Sequence, residues 1–318
     1  WDVVLENNHV LIALANKRNE IDLENITNPE FPKLISHLSL PYSDLRSIGL
    51  NGNGTTLAIA GSNNLLALWD VSDPSMPHEI IEYDAPPGDI ISLVFHPKLE
   101  IFATGYINRT VIFWDSKKLS PPMELVDLDS PLGKMKSLAF LPGGKKITID
   151  IDDGHIRFWD VTDQLAPYIM SELNSTKSYV NASISPSGKR MAAIDINGVV
   201  GIWDTLNILN TRELFVLQTT LYTTFDAIEI SSDDNSVWLE DQNGTLMLWD
   251  ISSPSNPTSR VVDINTHIES LALSYDGKKL AIGGCGKGVE AFCVAGEISV
   301  WDISDPGHPR ELAKIHAH

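Results

Sequence analysis

The stretch Leu68–Pro77 reads Leu-Trp-Asp-Val-Ser-Asp-Pro-Ser-Met-Pro, and its opening triplet returns along the chain. An apolar residue followed by Trp and Asp occurs five more times, with the tryptophans at Trp114, Trp159, Trp203, Trp249 and Trp301. Counted from Trp69, the successive spacings are 45, 45, 44, 46 and 52 residues. A period of about 20–50 residues indicates that one structural unit is repeated. The 318-residue chain is therefore predicted to be a repeat protein.

One period shows a pattern of four short strands. Met135–Phe140 alternates apolar and polar residues, as a half-buried strand does. Ile147–Ile151 and His155–Asp160 are predicted as the second and third strands, joined by an Asp-Gly hairpin that tolerates positive φ angles. Tyr168–Leu173 is predicted as the fourth strand. Four strands joined by tight turns make one antiparallel sheet.

A proline eight residues after the tryptophan marks the start of most fourth strands. Proline cannot donate a ladder hydrogen bond, so it suits the point where the chain begins an edge strand. The same proline pattern at Asn28–Pro32 places Glu24-Asn25 where other repeats have Trp-Asp, whereas Trp1-Asp2 is out of phase and falls in a first strand. Third strands are thus predicted around residues 24, 69, 114, 159, 203, 249 and 301.

These repeats resemble the WD-repeat family of β-propellers over essentially the whole chain. The resemblance rests on the apolar-Trp-Asp triplets, on Ser-Pro-x-Gly-like turns such as Ser185–Gly188, and on Asp-Gly-like hairpins. The Trp-Asp-x-Ser-x-Pro-x-x-Pro style is similar to many bacterial WD repeats. The resemblance implies an all-β fold, a β-propeller of four-stranded antiparallel blades, and the seven predicted third strands make it a seven-bladed β-propeller. The family's Gly-His dipeptide before each first strand is missing, so we expect its buried His–Asp–Ser–Trp hydrogen-bond network to be incomplete.

We predict a single propeller domain over residues 1–318, as part of a larger chain. The sequence starts in a first strand and ends in a fourth, so each blade would be one continuous segment. Either the sequence is a segment of a larger protein, or ring closure rests only on packing between the first and last blades. The blades are predicted at approximately residues 1–42, 43–87, 88–132, 133–176, 177–221, 222–265 and 266–318.

The net charge of −19 at pH 7 indicates an acidic surface. Such a surface repels phosphate backbones, so we expect no direct contact with nucleic acid, and it would suit a basic protein or peptide partner. Apolar runs fall short of the roughly 18 residues needed to span a bilayer, so we expect no membrane insertion. Two cysteines are too few for a disulfide framework and favour a reducing compartment, which predicts a cytoplasmic protein.

Three stretches resemble ligand sites but depart from the required patterns. Asp150–Gly154 starts like a calcium loop, yet it fills the hairpin position that every repeat has. Gly283–Gly288 has no Ser or Thr after its Lys, which a phosphate loop needs. The pair His316 and His318 is interpreted as a terminal tail. We predict no catalytic, cofactor-binding or metal-binding residues and no enzymatic activity of this segment, although a full-length protein could carry a separate catalytic domain.

The long spacing before Trp301 locates an insertion between Gly283 and Glu297. It lengthens the hairpin between a second and a third strand, and Cys285 and Cys293 could lie opposite each other across it in a disulfide. The alternatives are a functional lip on the propeller and a plain decorated loop.

The family resemblance also implies a docking surface, because in WD-repeat propellers the loops that lead into the first strands line one face around the channel. Tyrosines and isolated charges on loops are residue types that interaction hot spots favour. Alanine at Tyr83 or Tyr179 is expected to abolish partner binding with little change in melting temperature. We call the thirteen residues that the repeat phase places there the first-strand face: Tyr42, Asp44, Arg46, Tyr83, Asp89, Lys134, Lys136, Tyr179, Tyr222, Thr224, Asp226, His267 and Glu269.

The predicted function is a protein- or peptide-interaction module, the sensor or scaffold propeller of a multidomain bacterial signalling protein, with no cofactor. One alternative is a stand-alone propeller with a ligand or catalytic site at the channel mouth, which would need several ionisable groups converging there. Another is a propeller that holds a homo-oligomer together. An effector domain encoded upstream of Trp1 would favour the first interpretation.

Overall fold

A computed structural model shows that the chain is almost entirely β-strand, with 27 strands and one short 3-10 helix in the described residues. The structure describes residues 2–5, 11–15, 19–28, 31–42, 44–83, 85–108, 110–117, 135–141, 143–151, 155–163, 168–173, 177, 179–219, 225–241, 245–262, 266–274, 278–286, 296–305 and 308–317.

Within these residues the strands form seven antiparallel sheets, each made of strands that are consecutive in the chain and paired in chain order. Sheet 1 contains β1 (Asp2–Leu5), β2 (Leu11–Ala15), β3 (Glu20–Asn25) and β4 (Lys33–Ser39). Sheet 2 contains β5 (Leu45–Leu50), β6 (Thr56–Gly61), β7 (Leu66–Asp70) and β8 (His78–Glu82). Sheet 3 contains β9 (Ile90–Phe95), β10 (Ile101–Tyr106) and β11 (Val111–Asp115).

The second half of the chain repeats the arrangement. Sheet 4 contains β12 (Met135–Phe140), β13 (Lys146–Ile151), β14 (Ile156–Asp160) and β15 (Tyr168–Glu172). Sheet 5 contains β16 (Tyr179–Ile184), β17 (Arg190–Asp195), β18 (Val199–Asp204) and β19 (Arg212–Gln218), with the 3-10 helix Ile208–Asn210 before β19. Sheet 6 contains β20 (Phe225–Ile230), β21 (Ser236–Asp241), β22 (Leu246–Asp250) and β23 (Thr258–Val262). Sheet 7 contains β24 (Thr266–Leu273), β25 (Lys279–Gly286), β26 (Gly296–Asp302) and β27 (Arg310–Ala317).

The prediction of an all-β propeller with four-stranded antiparallel blades is confirmed. Sheet 3 has three strands in the described residues, and the place predicted for its fourth strand, after Pro122, lies outside them. The third strands contain the residues that the repeat phase assigned to them, including Glu24 in sheet 1. Of the insertion predicted between Gly283 and Glu297, residues 287–295 lie outside the described residues, and with them Cys293 and the predicted disulfide.

The aspartate after each tryptophan ends the third strand with a side-chain hydrogen bond. In sheet 2, Asp70 Oδ1 accepts a hydrogen bond from the backbone nitrogen of Ser72 at 2.8 Å. This contact turns the chain out of the strand, as Asp and Asn side chains commonly do. The same bond to the residue two positions on is made by Asn25, Asp115, Asp160, Asp204, Asp250 and Asp302.

The remainder of Leu68–Pro77 is a β-turn that leads into the edge strand. The backbone nitrogen of Met76 donates to the Asp73 carbonyl oxygen at 2.9 Å, which places Pro74 at the second turn position that proline favours. Pro77 directly precedes β8, and the matching prolines Pro32, Pro257 and Pro309 directly precede β4, β23 and β27. The proline thus marks the start of a fourth strand, as predicted.

The repeated tryptophans pack against the preceding sheet. Trp249 shares an apolar cluster with Ile202 and Leu217 of sheet 5. Trp301 does the same with Leu246 and Leu248 of sheet 6. The clusters around Trp69, Trp114, Trp159 and Trp203 likewise each span two consecutive sheets. A large aromatic at each of these interfaces, which we call seams, covers the apolar faces of both sheets at once.

Sheet 7 also contacts sheet 1. Ile26, which follows β3, packs with Ala281, Ile298 and Val300 of sheet 7. The first strand β1 contacts both β5 of sheet 2 and β24 of sheet 7. The two ends of the repeat array are therefore in contact through side-chain packing, and each sheet in the described residues is built from one continuous segment.

The indole hydrogen bonds are incomplete, as the missing Gly-His dipeptides indicated. Trp114 Nε1 donates to Thr104 Oγ1 at 2.8 Å, and Trp301 Nε1 donates to Ser299 Oγ at 2.8 Å. The other four repeat tryptophans have buried Nε1 atoms without a hydrogen-bond partner in the described part of the chain: Trp69, Trp159, Trp203 and Trp249. Apolar packing, rather than a hydrogen-bond network of their own, holds these four indoles in their seams.

We expect Trp159→Ala to lower the free energy of unfolding by about 3–5 kcal/mol, because it removes a buried aromatic from the seam between sheets 3 and 4. Urea unfolding followed by circular dichroism measures the change. Leu206→Ala is the control, since Leu206 is 72% exposed and its loss should cost less than about 0.5 kcal/mol. Equal effects of the two substitutions would contradict the assignment of the seams.

Candidate functional site at the first-strand face

A β-bulge occurs at the same place in the first strands of six sheets. In sheet 2, Leu45 pairs with Gly61 and Ser47 pairs with Ala60, so Arg46 is left out of the register. Bulges re-aim side chains and are common beside functional sites. The residues left out in the corresponding way are Arg46, Ile91, Lys136, Val180, Asp226 and Glu269.

Four members of the predicted first-strand face occupy bulged positions, namely Arg46, Lys136, Asp226 and Glu269. All four are ionisable, and all four lie near the start of a first strand, at the same end of the sheets. Sequence reasoning placed these residues near the loops but did not predict the bulge. The signal that would have revealed it is a three-residue spacing of apolar residues, as in Leu45 and Ile48, where regular alternation gives two.

Arg46 is the centre of an ion-pair cluster between sheets 2 and 3. Its Nη2 lies 3.2 Å from Asp44 Oδ2 and 3.8 Å from Asp89 Oδ2, and its Nε donates to Ser62 Oγ at 2.9 Å. The Arg46, Asp44 and Asp89 side chains are 42%, 57% and 38% exposed, so the cluster is open to solvent. A hydrogen bond from Ser62 and the charge of Arg46 lower the pKa of Asp44, which keeps this carboxylate ionised.

The backbone around this cluster is tightly constrained. Asp44 has a left-handed conformation with φ of 64°, and its carbonyl oxygen accepts a hydrogen bond from the Ser62 nitrogen at 3.1 Å. A Cβ atom on Gly61 would lie 2.4 Å from that carbonyl oxygen, so only glycine fits at this position. The backbone nitrogen of Ile107 donates to the Asp89 carbonyl oxygen in the same way in sheet 3. The acidic residues are therefore held at fixed positions ahead of their strands.

Tyr42 points away from the bulge towards the outer strand of sheet 2. Its hydroxyl donates to Glu79 Oε2 on β8 at 2.5 Å. Partial burial first, and then the hydrogen bond and charge of Glu79, raise the pKa of the Tyr42 phenol. Tyr42 thus links sheets 1 and 2, and its hydroxyl bonds to Glu79 rather than to the Arg46 cluster.

The structure corrects the expectation for two other tyrosines, which are core residues. Tyr83 is 8% exposed and packs 4.8 Å from the Trp114 ring, and burial raises the pKa of its phenol to about 12. Tyr179 is 1% exposed and lies edge-on to Trp203 at 6.4 Å. Their large rings fill the seams near the starts of the strands. The prediction that they lie on the surface used only their position within the repeat and was wrong for that reason. Partner binding by these side chains stays a prediction.

The remaining members of the first-strand face can be placed only in part. Lys136, Asp226, His267 and Glu269 lie in the first strands β12, β20 and β24. Lys134, Tyr222 and Thr224 lie outside the described residues. The described side chains that come together on this face are therefore Asp44, Arg46 and Asp89.

A half-buried carboxyl group lies between two neighbouring first strands. Ser183 Oγ on β16 donates to Glu229 Oε2 on β20 at 2.9 Å. Burial raises the pKa of Glu229 to about 7, and the hydrogen bond from Ser183 opposes part of that rise. Glu229 lies between Ile228 and Ile230 in β20, and no sequence motif singled it out.

Among the described residues, no group of three His, Cys, Asp or Glu side chains is placed to hold a metal ion. The predicted Asp-Gly hairpin at 152–154 and most of the glycine-rich insertion lie outside those residues. Among the described residues, no helix is long and apolar enough to cross a membrane.

Comparison with known families agrees with this geometry. The family described as WD domain, G-beta repeat matches residues 78–115, which run from β8 of sheet 2 to β11 of sheet 3. The LVIVD repeat matches residues 54–85 and 226–264, which cover most of sheets 2 and 6. This chain is a β-propeller with segments that match WD and LVIVD repeats. The LVIVD match contains the Leu68–Pro77 stretch and was not predicted from the sequence. No curated protein matched the chain.

We expect Tyr83→Ala in this propeller to lower the free energy of unfolding by about 3 kcal/mol, because it empties a buried position beside Trp114. Tyr83→Phe is the matched control. It should cost less than about 1 kcal/mol, since the hydroxyl lies 3.4 Å from its acceptor, the Asp115 carbonyl oxygen. Chemical denaturation measures the free energy of unfolding of both variants. An unchanged stability of Tyr83→Ala would show that Tyr83 is not a core residue.

Proposed function

We propose that this propeller is a protein- or peptide-binding module and that its partner docks on the first-strand face. WD propellers are typically protein-interaction modules. The observation that carries the proposal is the repeated bulge, which sets an ionisable residue outside the strand pairing in sheets 2, 4, 6 and 7. The Arg46 cluster adds a solvent-open ion network on a constrained backbone, and a preorganised polar surface of this kind favours specific recognition.

We further propose that the sheets close into one seven-bladed ring. Seven sheets lie in the described residues, six of them four-stranded, and the last contacts the first. A closed ring would bring the starts of all first strands around one axis and so gather the bulged residues on one rim. Such a module fits the sensor or scaffold part of a larger bacterial signalling protein in the cytoplasm, which also belongs to the proposal.

A basic partner suits the charge of the molecule. The net charge of −19 would accelerate the approach of a positively charged surface and would be screened by salt. We therefore expect the association rate with the partner to fall by about tenfold or more between 20 and 300 mM NaCl, as measured by surface plasmon resonance. A rate that is independent of salt would exclude electrostatic attraction and with it the basic partner.

We expect Arg46→Ala to weaken partner binding by about tenfold or more, since interface arginines are frequent hot spots. Affinity capture of the partner followed by calorimetry measures the loss. Lys117→Ala is the matched control: Lys117 also pairs with a carboxylate, Glu100 at 3.4 Å, but lies at the opposite end of the strands. Both exposed pairs contribute less than about 1 kcal/mol to stability, so both variants should fold normally. Equal binding by the two variants would exclude the first-strand face.

A further inference from the structure

Sheet 1 has a carboxyl group where six other sheets have an indole. Glu24 occupies the tryptophan position of β3, and the register between third and fourth strands shifts at Glu24 as it does at Trp69, Trp159 and Trp203. The repeat tryptophans face the preceding sheet. For sheet 1 that neighbour is sheet 7, which Ile26, two residues beyond Glu24, contacts. Glu24 therefore belongs to the seam between sheets 7 and 1, which we call the closing seam.

The closing seam buries more polar groups than aromatic ones in its described part. Glu24 is 4% exposed and Asp22 is 6% exposed, and their spacing of two residues along a strand puts both on one face. Asp22 Oδ1 lies 2.6 Å from Nδ1 of His37 on β4. The apolar part consists of Ile26 with the small or aliphatic side chains Ala281, Ile298 and Val300. The other six seams each contain a repeat tryptophan.

Burial of Glu24 has a consequence for its protonation. Desolvation first, and then the nearby charge of Asp22, raise the pKa of Glu24 from 4.5 to about 7. The closed seam therefore favours the neutral carboxyl, and an opened, hydrated seam favours the carboxylate. The pKa of Glu24 is higher in the closed seam than in the opened one. The stability of the closed seam is therefore greatest below about pH 4.5, and this advantage is lost as the pH rises through about 7.

Other charged groups surround this position. On its own sheet they are Asp22 and His37, together with Glu20, which strand alternation puts on the same face of β3. In sheet 7, strand alternation puts Lys279 and Asp302 on the side of Ala281 and Val300. A hydrogen bond from Ser304 lowers the pKa of Asp302, so this group stays ionised where Glu24 titrates. The charged residues on β27 whose side chains are described are Arg310, 3.9 Å from Asp302, together with Glu311 and Lys314.

We propose that the closing seam is a latch at which the propeller ring opens, and that loss of the Glu24 proton promotes the opening. The proposal rests on ring closure as proposed above and is independent of the partner and its docking face. Opening at this seam breaks no strand pairing, because no described strand of sheet 1 pairs with a strand of sheet 7. It separates side chains only, which is the kind of local event that precedes global unfolding.

Hydrogen exchange of the backbone amides, resolved by peptide and expressed as protection factors, tests the latch. Between about pH 5.5 and 8.5, protection of sheets 1 and 7 should fall on the order of tenfold in the native chain, since one pKa unit corresponds to a factor of ten. Protection of sheets 3 and 4 should stay nearly constant. In Glu24→Gln, which cannot ionise, the fall should disappear. Glu24→Leu is a second variant that removes the charge and should behave likewise.

Glu229→Gln is the matched control. Glu229 is a second carboxyl with a raised pKa, but it lies between sheets 5 and 6, so its substitution should leave the pH-dependent fall in sheets 1 and 7 intact. His37→Gln separates any contribution of the histidine in the same measurement. The latch is excluded if all sheets lose protection equally with pH, or if both Glu24 variants retain the fall. Partner binding by Arg46→Ala is a separate readout, so either proposal can fail alone.

Discussion

The fold depends on one constraint: each small sheet has two apolar faces and can cover them only with its neighbours in the chain. The repeat tryptophans meet this constraint, because each lies in a third strand and reaches the preceding sheet. Their hydrogen bonds contribute little to the arrangement, since four of the six buried indole nitrogens have no partner among the described residues. Apolar packing around the indoles therefore joins consecutive sheets, and sheets 7 and 1 also meet through apolar side chains.

The sequence was informative about features with a fixed period. The Trp-Asp triplets and the prolines eight residues later located the third and fourth strands, and they identified Glu24 as the member of the series without a tryptophan. Features that depend on pairing across strands were not visible in the same way. The bulge at Arg46 requires the register with β6, and the burial of Tyr83 requires knowledge of Trp114 in the next sheet. The position of a residue within the sequence repeat predicts how far along a strand it lies, but not the direction in which its side chain points.

The two ends of the strands have different roles. At one end the Asp–Ser and Asp–Pro turns are nearly identical from repeat to repeat, because each must end a third strand and begin an edge strand. At the other end the bulged positions hold residues of different charge: arginine, isoleucine, lysine, valine, aspartate and glutamate. The turns after the third strands are similar from repeat to repeat, whereas the bulged positions of the first strands vary. The recognition surface can therefore change without altering the seams. The exchange of tryptophan for Glu24 is a variation of the seam itself, and it places a buried carboxyl group where sheets 7 and 1 meet.

The most direct test of a closed ring is a distance across the closing seam. Nitroxide labels on Lys33→Cys and Arg310→Cys mark the first residues of the edge strands β4 and β27, and labels on Lys33→Cys and His78→Cys mark the same positions across the ordinary seam between sheets 1 and 2. Both pairs are introduced after Cys285 and Cys293 have been replaced by serine. Double electron–electron resonance should give nearly equal mean distances with similarly narrow distributions. A longer or much broader distribution for the 33–310 pair would contradict closure of the ring.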